Sequence, residues 1–210
     1  MTTLYYAPGA CSTASHIALE ESGAAFEGKP LSFARAEQRT PEYLKINPRG
    51  RVPALVVEDG TIVENTAILT YVAQALSGGT LLPQQPAAMA RAISLMAWFS
   101  NTVHPAFTHI GRPERFATDV ATHANLKETG RANFHGFLQE IDGLLAGKSW
   151  MLGEQFSVVD GYALVFYGWG KRIDLPVADL KNYTAFKDRM LARPAVRRVL
   201  EREQSVLLAA

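Results

Sequence analysis

The sequence predicts two unlike parts, an α/β region over about the first 80 residues and an all-helical region over about the last 125. Three observations carry that division. Up to about Leu82, short β-rich runs alternate with helical stretches. Leu82-Pro83-Gln84-Gln85-Pro86 then places two prolines close together, which interrupts regular structure. Beyond it the segments read as helical, separated by Pro or Gly, with no useful length of β-branched alternation. The expected domains are residues 1–81 and 87–210, joined by a linker over 82–86.

Thr3 to Tyr6 is a short strand closed by Pro8-Gly9, and Ser12 to Ser22 is a helix with Gly23 as its C-terminal stop. Phe26 to Leu31 is a second strand, which Pro30 keeps short or at an edge. An irregular stretch follows. Ala54–Val57 and Thr61–Val63 flank Glu58-Asp59-Gly60, and Asp-Gly is the pair that a tight hairpin prefers. A helix from about Thr66 to Leu76 ends at Gly78-Gly79, giving the order β-α-β-(irregular)-β-β-α. The helical part divides into Ala87–Val103, Asp119–Leu145, Val158–Ile173, Leu180–Ala192 and Ala195–Leu207.

Composition excludes several classes. Twenty-one basic against 20 acidic residues leave a net charge of +1, which gives no footprint for nucleic acid or an anionic membrane surface. One cysteine rules out an internal disulfide framework and a multi-cysteine zinc site, and suits a reducing compartment. The N-terminus lacks the basic and apolar regions of a signal peptide. The longest apolar runs, Leu95 to Phe99 and Ala163 to Tyr167, are far short of the ~20 residues that span a bilayer. These observations predict a soluble cytoplasmic protein. His109 follows His104 by five positions, not four, and no carboxylate cluster accompanies them, so no metal site is expected.

Three places could carry chemistry. Cys11 begins the first helix, where the helix dipole and free N–H groups favour thiolate; the alternative is a buried structural cysteine. Ser12 beside it offers a hydroxyl to a thiolate. No second cysteine follows, so only a mixed disulfide with a small thiol is open to it. Val52-Pro53 stands where a strand begins. Either it is a cis peptide that turns the Val52 N–H and C=O toward an extended ligand, or it is an ordinary trans proline at an edge, the simpler account on these residues alone. Glu64-Asn65-Thr66, at a strand-to-helix junction, can hold an amino-acid zwitterion or simply cap the helix. Trp98, Phe99 and Phe107 are spaced to line one side of a bend at Pro105, as core or as a pocket for an apolar ligand.

Leu4-Tyr5-Tyr6-Ala7-Pro8-Gly9-Ala10-Cys11-Ser12 with Ser15-His16, Asn47-Pro48-Arg49-Gly50-Arg51-Val52-Pro53-Ala54-Leu55, Glu64-Asn65-Thr66-Ala67-Ile68 and Phe156-Ser157-Val158-Val159-Asp160 together resemble the glutathione S-transferases, most closely the bacterial beta class. The resemblance covers essentially the whole chain. It implies a thioredoxin-like N-terminal domain, an all-helical C-terminal domain and a homodimer. The implied activity is transfer of glutathione, as co-substrate and with no permanently bound cofactor, to small hydrophobic electrophiles in detoxification.

Carried over by residue, the resemblance puts Cys11 beside the glutathione sulfur, with His104 near it. Val52 pairs through its backbone with the tripeptide and precedes the cis proline Pro53, while Glu64 and Asn65 hold the γ-glutamyl end. Arg35 falls where the class often has a Lys reaching the glycyl carboxylate. Asn65 stands where Ser or Gly is usual, and Ala97 replaces an Asn that in beta enzymes reaches the neighbouring subunit's glutathione. Either Cys11 or Ser12 is then the main group at the sulfur, with Tyr5 or Tyr6 assisting and His104 supplying a donor or, if protonated, a positive charge. Two other readings stay open: thiol–disulfide exchange through Cys11, and a glutathione-binding module with little turnover.

Overall fold

The computed structural model describes residues 1–209. The N-terminal part holds β1 (Thr2–Tyr6), α1 (Thr13–Ser22), β2 (Phe26–Pro30), α2 (Pro41–Ile46), β3 (Ala54–Val57), β4 (Gly60–Val63) and α3 (Asn65–Tyr71). The sheet order is β2-β1-β3-β4, with β1 and β2 parallel and the other neighbours antiparallel. This is the thioredoxin-like arrangement, and β2 lies at an edge, as Pro30 requires.

Alternation along the strands sorts side chains onto two faces. Leu4, Tyr6, Leu55 and Ile62 face the large core shared with α1, α3 and the helical domain. Tyr5, Ala54 and Val63 face a smaller cluster with Tyr43 of α2. α2 lies in the stretch read as irregular. It is a single short turn-and-a-half, too brief for apolar periodicity, but Thr40 caps it by accepting from the Tyr43 N–H at 3.3 Å, and Pro41 opens it. Gly23 ends α1 at φ 71°, the left-handed conformation expected of a C-terminal stop.

The helical part comprises α4 (Pro86–Trp98), α5 (His104–Gly111), α6 (His123–Leu144), α7 (Val158–Arg172), α8 (Lys181–Leu191) and α9 (Pro194–Arg202). α4 passes through a π-helical turn, Phe99–Val103, into α5, so the helix expected to end near Val103 instead carries on past Pro105. Pro105 fits because it falls in the first turn of α5. α9 stops at Arg202 rather than near Leu207, and the chain turns at Gln204 with φ 50°.

α7 is buried from Val158 to Gly170 and forms the centre of the molecule. Its start is held by a reciprocal box: the Ser157 N–H donates to the Asp160 carboxylate at 2.7 Å, and the Ser157 side chain receives the N–H of Asp160. The Met151 N–H also donates to Asp160, at 2.7 Å. Among the described residues no helix is long and apolar enough to cross a membrane.

Candidate active site

A cleft runs between the two parts and has two lobes. The polar lobe, about 330 Å³, is lined by Val52, Pro53, Glu64, Asn65, Ser100 and Tyr162, among others. The second lobe, about 410 Å³, has Phe33, Phe107 and Trp169 as its aromatic lining. Cys11, Arg51, Val52, His104, Thr108 and Arg115 line both.

The turn from β1 to α1 sets the position of Cys11. The Ser12 hydroxyl, fully buried, accepts from the Ala7 N–H at 3.0 Å and donates to the Ala7 carbonyl at 3.2 Å. It closes the turn and does not line the cleft, which corrects its expected place at the sulfur. The helical part holds the same turn from the other side: the Trp169 indole N–H donates to the Gly9 carbonyl at 2.9 Å, and the Arg172 guanidinium does so at 3.3 Å.

α1 begins at Thr13, so Cys11 precedes the helix instead of opening it. Its thiol faces the Val52 carbonyl at 3.6 Å. Burial pushes the Cys11 thiol up to about 12, with the Glu64 carboxylate adding to the rise and N–H groups and Arg51 only partly opposing it. The expected stabilised thiolate is therefore corrected to a neutral thiol that can donate a hydrogen bond. His104 is held well down, to about 4, first by burial and then by Arg51 and Arg115. It is a neutral imidazole at neutral pH, not the positive charge offered as an alternative.

Val52–Pro53 is a cis peptide. Its loop is fixed from behind, because the Arg51 carbonyl accepts from the Tyr43 hydroxyl at 2.6 Å and from the Asn47 carboxamide at 2.7 Å. Gly50, at φ 58°, lies so close to the preceding loop that a Cβ there would stand 2.8 Å from the Gln38 carbonyl. Glu64 adopts φ 71° and ψ 127°, an uncommon conformation for a side-chain-bearing residue, and its exposed carboxylate pairs with Arg49 at 3.1 Å. The Asn65 side chain is engaged within the protein: it donates to the Cys11 carbonyl at 2.8 Å and accepts from the Ser15 hydroxyl at 2.7 Å. Its backbone N–H, in the first turn of α3, has no partner within the helix.

Three expected residues lie elsewhere. Tyr6 points to the opposite face of the sheet from the cleft-side cluster and packs against His16 with the rings tilted, centroids 4.5 Å apart; burial raises its phenol above the ordinary value. Tyr5 packs on Tyr43 and lines neither lobe. Arg35 is exposed and pairs with Glu37 at 2.9 Å, outside both lobes. Of the three aromatic residues near the bend, Trp98 and Phe99 pack in the core, whereas Phe107 stacks on Trp169 at 4.3 Å and faces the second lobe.

Sequence reasoning missed Arg51, Gln38, Arg115, Trp169 and Tyr162. Gln38 lines the aromatic lobe, and its buried carboxamide oxygen has no hydrogen-bond partner among the described residues. Tyr162 reaches the floor of the polar lobe from α7, its phenol raised by burial and by the neighbouring Cys11. Arg51, adjacent to the recognised Val52-Pro53, was within reach of the motif; the others come from segments with no local signal.

Comparison with known proteins bears on the whole chain. The glutathione S-transferase N-terminal domain matches residues 1–74, and the C-terminal domain of the same family matches residues 94–194. Glutathione S-transferase GstA of Escherichia coli O157:H7 is 32% identical over 203 residues, 95% of this chain and 98% of that one. A crystal structure of a glutathione transferase homologue from Sulfitobacter, with bound glutathione, superposes with a TM-score of 0.91 at 33% identity, covering 96% of this chain and 98% of that one. The bacterial beta class glutathione S-transferase of Sphingomonas chungbukensis gives 0.84 at 32% identity, over 96% and 98% of the two chains. With both family domains in order and full-length relatives above 30% identity, the chain belongs to the glutathione S-transferase family.

Proposed function

We propose that this protein is a beta-class glutathione transferase that conjugates the glutathione thiolate to small hydrophobic electrophiles. The observation that carries the reading is the junction of the two lobes: Cys11 and His104, both neutral hydrogen-bonding groups, line the polar and the aromatic lobe at once. A sulfur placed there is open to a tripeptide site on one side and to an apolar ring on the other.

In this reading glutathione lies along Val52, its backbone paired with the Val52 main chain exposed by the cis peptide at Pro53. The γ-glutamyl carboxylate takes the free N–H groups at Asn65, and its ammonium meets Glu64. Arg51 takes the glycyl carboxylate in place of Arg35, and the orphan oxygen of Gln38 accepts from a peptide N–H nearby. The glutathione thiol releases its proton to water, because His104 at about 4 is too weak a base to retain it. The Cys11 S–H and the His104 N–H donate to the resulting thiolate, and the positive field of Arg51 and Arg115 lowers its pKa. The thiolate attacks the electrophilic carbon, a C–S bond forms, and the leaving group departs with its bonding pair.

The domain assignment goes with this function: residues 1–81 hold the tripeptide, 82–86 link, and 87–210 supply the electrophile pocket. So do a homodimer, a cytoplasmic location and a role in detoxification. The raised pKa of Cys11 counts against thiol–disulfide exchange as the main activity. The deciding experiment measures glutathione conjugation to an activated aryl chloride with wild type, Cys11→Ala, His104→Ala and Ser12→Ala. Wild type runs well above the uncatalysed rate, and Cys11→Ala and His104→Ala each lose about 10- to 100-fold, 1.4 to 2.7 kcal/mol of barrier. A wild-type rate at background, with glutathione bound normally, overturns conjugation in favour of a binding module.

A further inference from the structure

The aromatic lobe is unusual in its charge. Besides Phe33, Phe107 and Trp169 it is lined by four arginines, Arg51, Arg112, Arg115 and Arg172, and by no Asp or Glu. They come from three separate segments: the loop before β3, the stretch following α5, and the end of α7. Few counter-charges reach them. Arg112 has Glu114 at 4.0 Å, with both side chains more than half exposed. Arg172 donates to the neutral Gly9 carbonyl and lies 5.3 Å over the Phe107 ring. Arg51 and Arg115 pair with no carboxylate among the described residues. Burial, followed by the like charges of Arg51 and Arg112, pulls Arg115 below its ordinary pKa.

Four cations gathered at one cleft repel one another, and a neutral ring would leave that repulsion unrelieved. Glutathione relieves part of it, since Arg51 is assigned to the glycyl carboxylate and the thiolate carries one negative charge. Arg112 and Arg172 line the aromatic lobe and not the polar one, and no charged group of the tripeptide is assigned to them. We propose that the preferred electrophile is an anion, an aromatic ring bearing a carboxylate, with the ring against Phe107 and the carboxylate against Arg112, Arg115 and Arg172. Planar guanidinium groups suit a carboxylate, which they can engage with two parallel N–H donors. The chemistry is unchanged: glutathione sulfur bonds to the ring carbon, chloride leaves with the C–Cl pair, and the thiol proton has gone to water.

The inference rests on the transferase reading, and a matched pair of substrates separates the two. 2-Chloro-1,3-dinitrobenzene and 4-chloro-3,5-dinitrobenzoate differ by one ring carboxylate. For each, kcat/KM is divided by the uncatalysed second-order rate with glutathione, which removes intrinsic reactivity. Wild type is expected to favour the benzoate by about 10-fold or more. That ratio should shrink as salt rises from about 0.05 to 0.5 M, because exposed charges are screened. It should fall toward one in Arg112→Gln and in the double variant Arg112→Gln/Arg172→Lys, the lysine keeping a charge near Gly9.

Equal or better use of the neutral ring by wild type overturns the anion preference while leaving the transferase reading intact. So does a rise in glutathione KM in the arginine variants with the substrate ratio unmoved, which would assign these residues to the tripeptide. Absence of turnover with both rings overturns the transferase reading and this proposal together.

Discussion

The His16 ring nitrogen Nδ1 lies 2.8 Å from the Glu203 carboxylate, and both side chains are sealed from solvent. The second carboxylate oxygen of Glu203 accepts from the Thr13 hydroxyl at 2.6 Å and from the Gly9 N–H at 2.9 Å. One residue just beyond α9 therefore holds both the turn before Cys11 and the first turns of α1. Its carboxylate is buried with three donors around it, and removing it strands all three. Glu203→Ala is expected to cost about 3–5 kcal/mol in urea unfolding. Glu203→Gln, which keeps the shape and one acceptor, costs less. Equal stability of Glu203→Ala and wild type would show that the network contributes nothing net.

His104 gives a pH dependence with a definite sign. In the unfolded chain it takes a proton near pH 6.5, whereas in the folded protein burial and two arginines delay protonation to about pH 4. Over that window the unfolded state binds more protons, so this group's contribution to stability is lost as pH falls from about 6.5 toward 4. His104→Gln abolishes this term. The difference in unfolding free energy between pH 7 and pH 5 should be smaller in the variant by about 1–2 kcal/mol. An identical acid slope in both proteins contradicts the assigned environment.

Cys11 should be a slow nucleophile in the free protein. With its pKa pushed up to about 12, the thiolate fraction at pH 7 is on the order of 10⁻⁵. Alkylation by iodoacetamide is therefore expected to run well below the rate of a free thiol and to rise about tenfold per pH unit up to the stability limit. A plateau in the rate near pH 7 to 8 would mean that the thiolate is stabilised after all, and would revive disulfide exchange as the main activity.

Gly50 tests the support of the Val52 loop. An added methyl meets backbone at 2.8 Å and must occupy φ 58°, so the loop has to move. Gly50→Ala is expected to lose about 1–3 kcal/mol of stability and to raise the KM for glutathione several-fold, with a smaller change in kcat. A normal KM would place glutathione away from Val52.

Asp160 accepts hydrogen bonds from the Ser157 N–H and from the Met151 N–H, both at 2.7 Å, at the start of the most buried helix. Asp160→Ala leaves both N–H groups buried without acceptors and should cost about 2–4 kcal/mol, measured by urea unfolding of the two proteins in parallel. Asp160→Asn keeps one acceptor oxygen and falls between.

What the sequence determined by itself is what depends on neighbours along the chain. The strand at Ala54–Val57, the turn after it, the stop at Gly23 and the Ser157–Asp160 box all involve residues a few positions apart, and their residue types already carry the geometry. The thioredoxin-like order followed from such pieces together with the motifs shared with the family. α2 was legible too, in Thr40-Pro41, though its six residues are too few for periodicity to speak. The misplacement of Tyr6 was avoidable, since strand alternation puts it on the face of Leu4 and away from the cleft-side cluster.

The tertiary structure alone decided the chemistry at the cleft. Whether Cys11 is thiol or thiolate depends on burial against Val52, 41 positions away, and on charges at Arg51 and Glu64. The Asn65 side chain is engaged with Cys11, 54 positions earlier, and Glu203 reaches His16 across 187. Arg112, Arg115 and Arg172 share a lobe because α5 and α7 pack beside the β1–α1 turn. Local residue types carry no record of such meetings. Desolvation and charge act through space, so they are set only when distant segments close around the site.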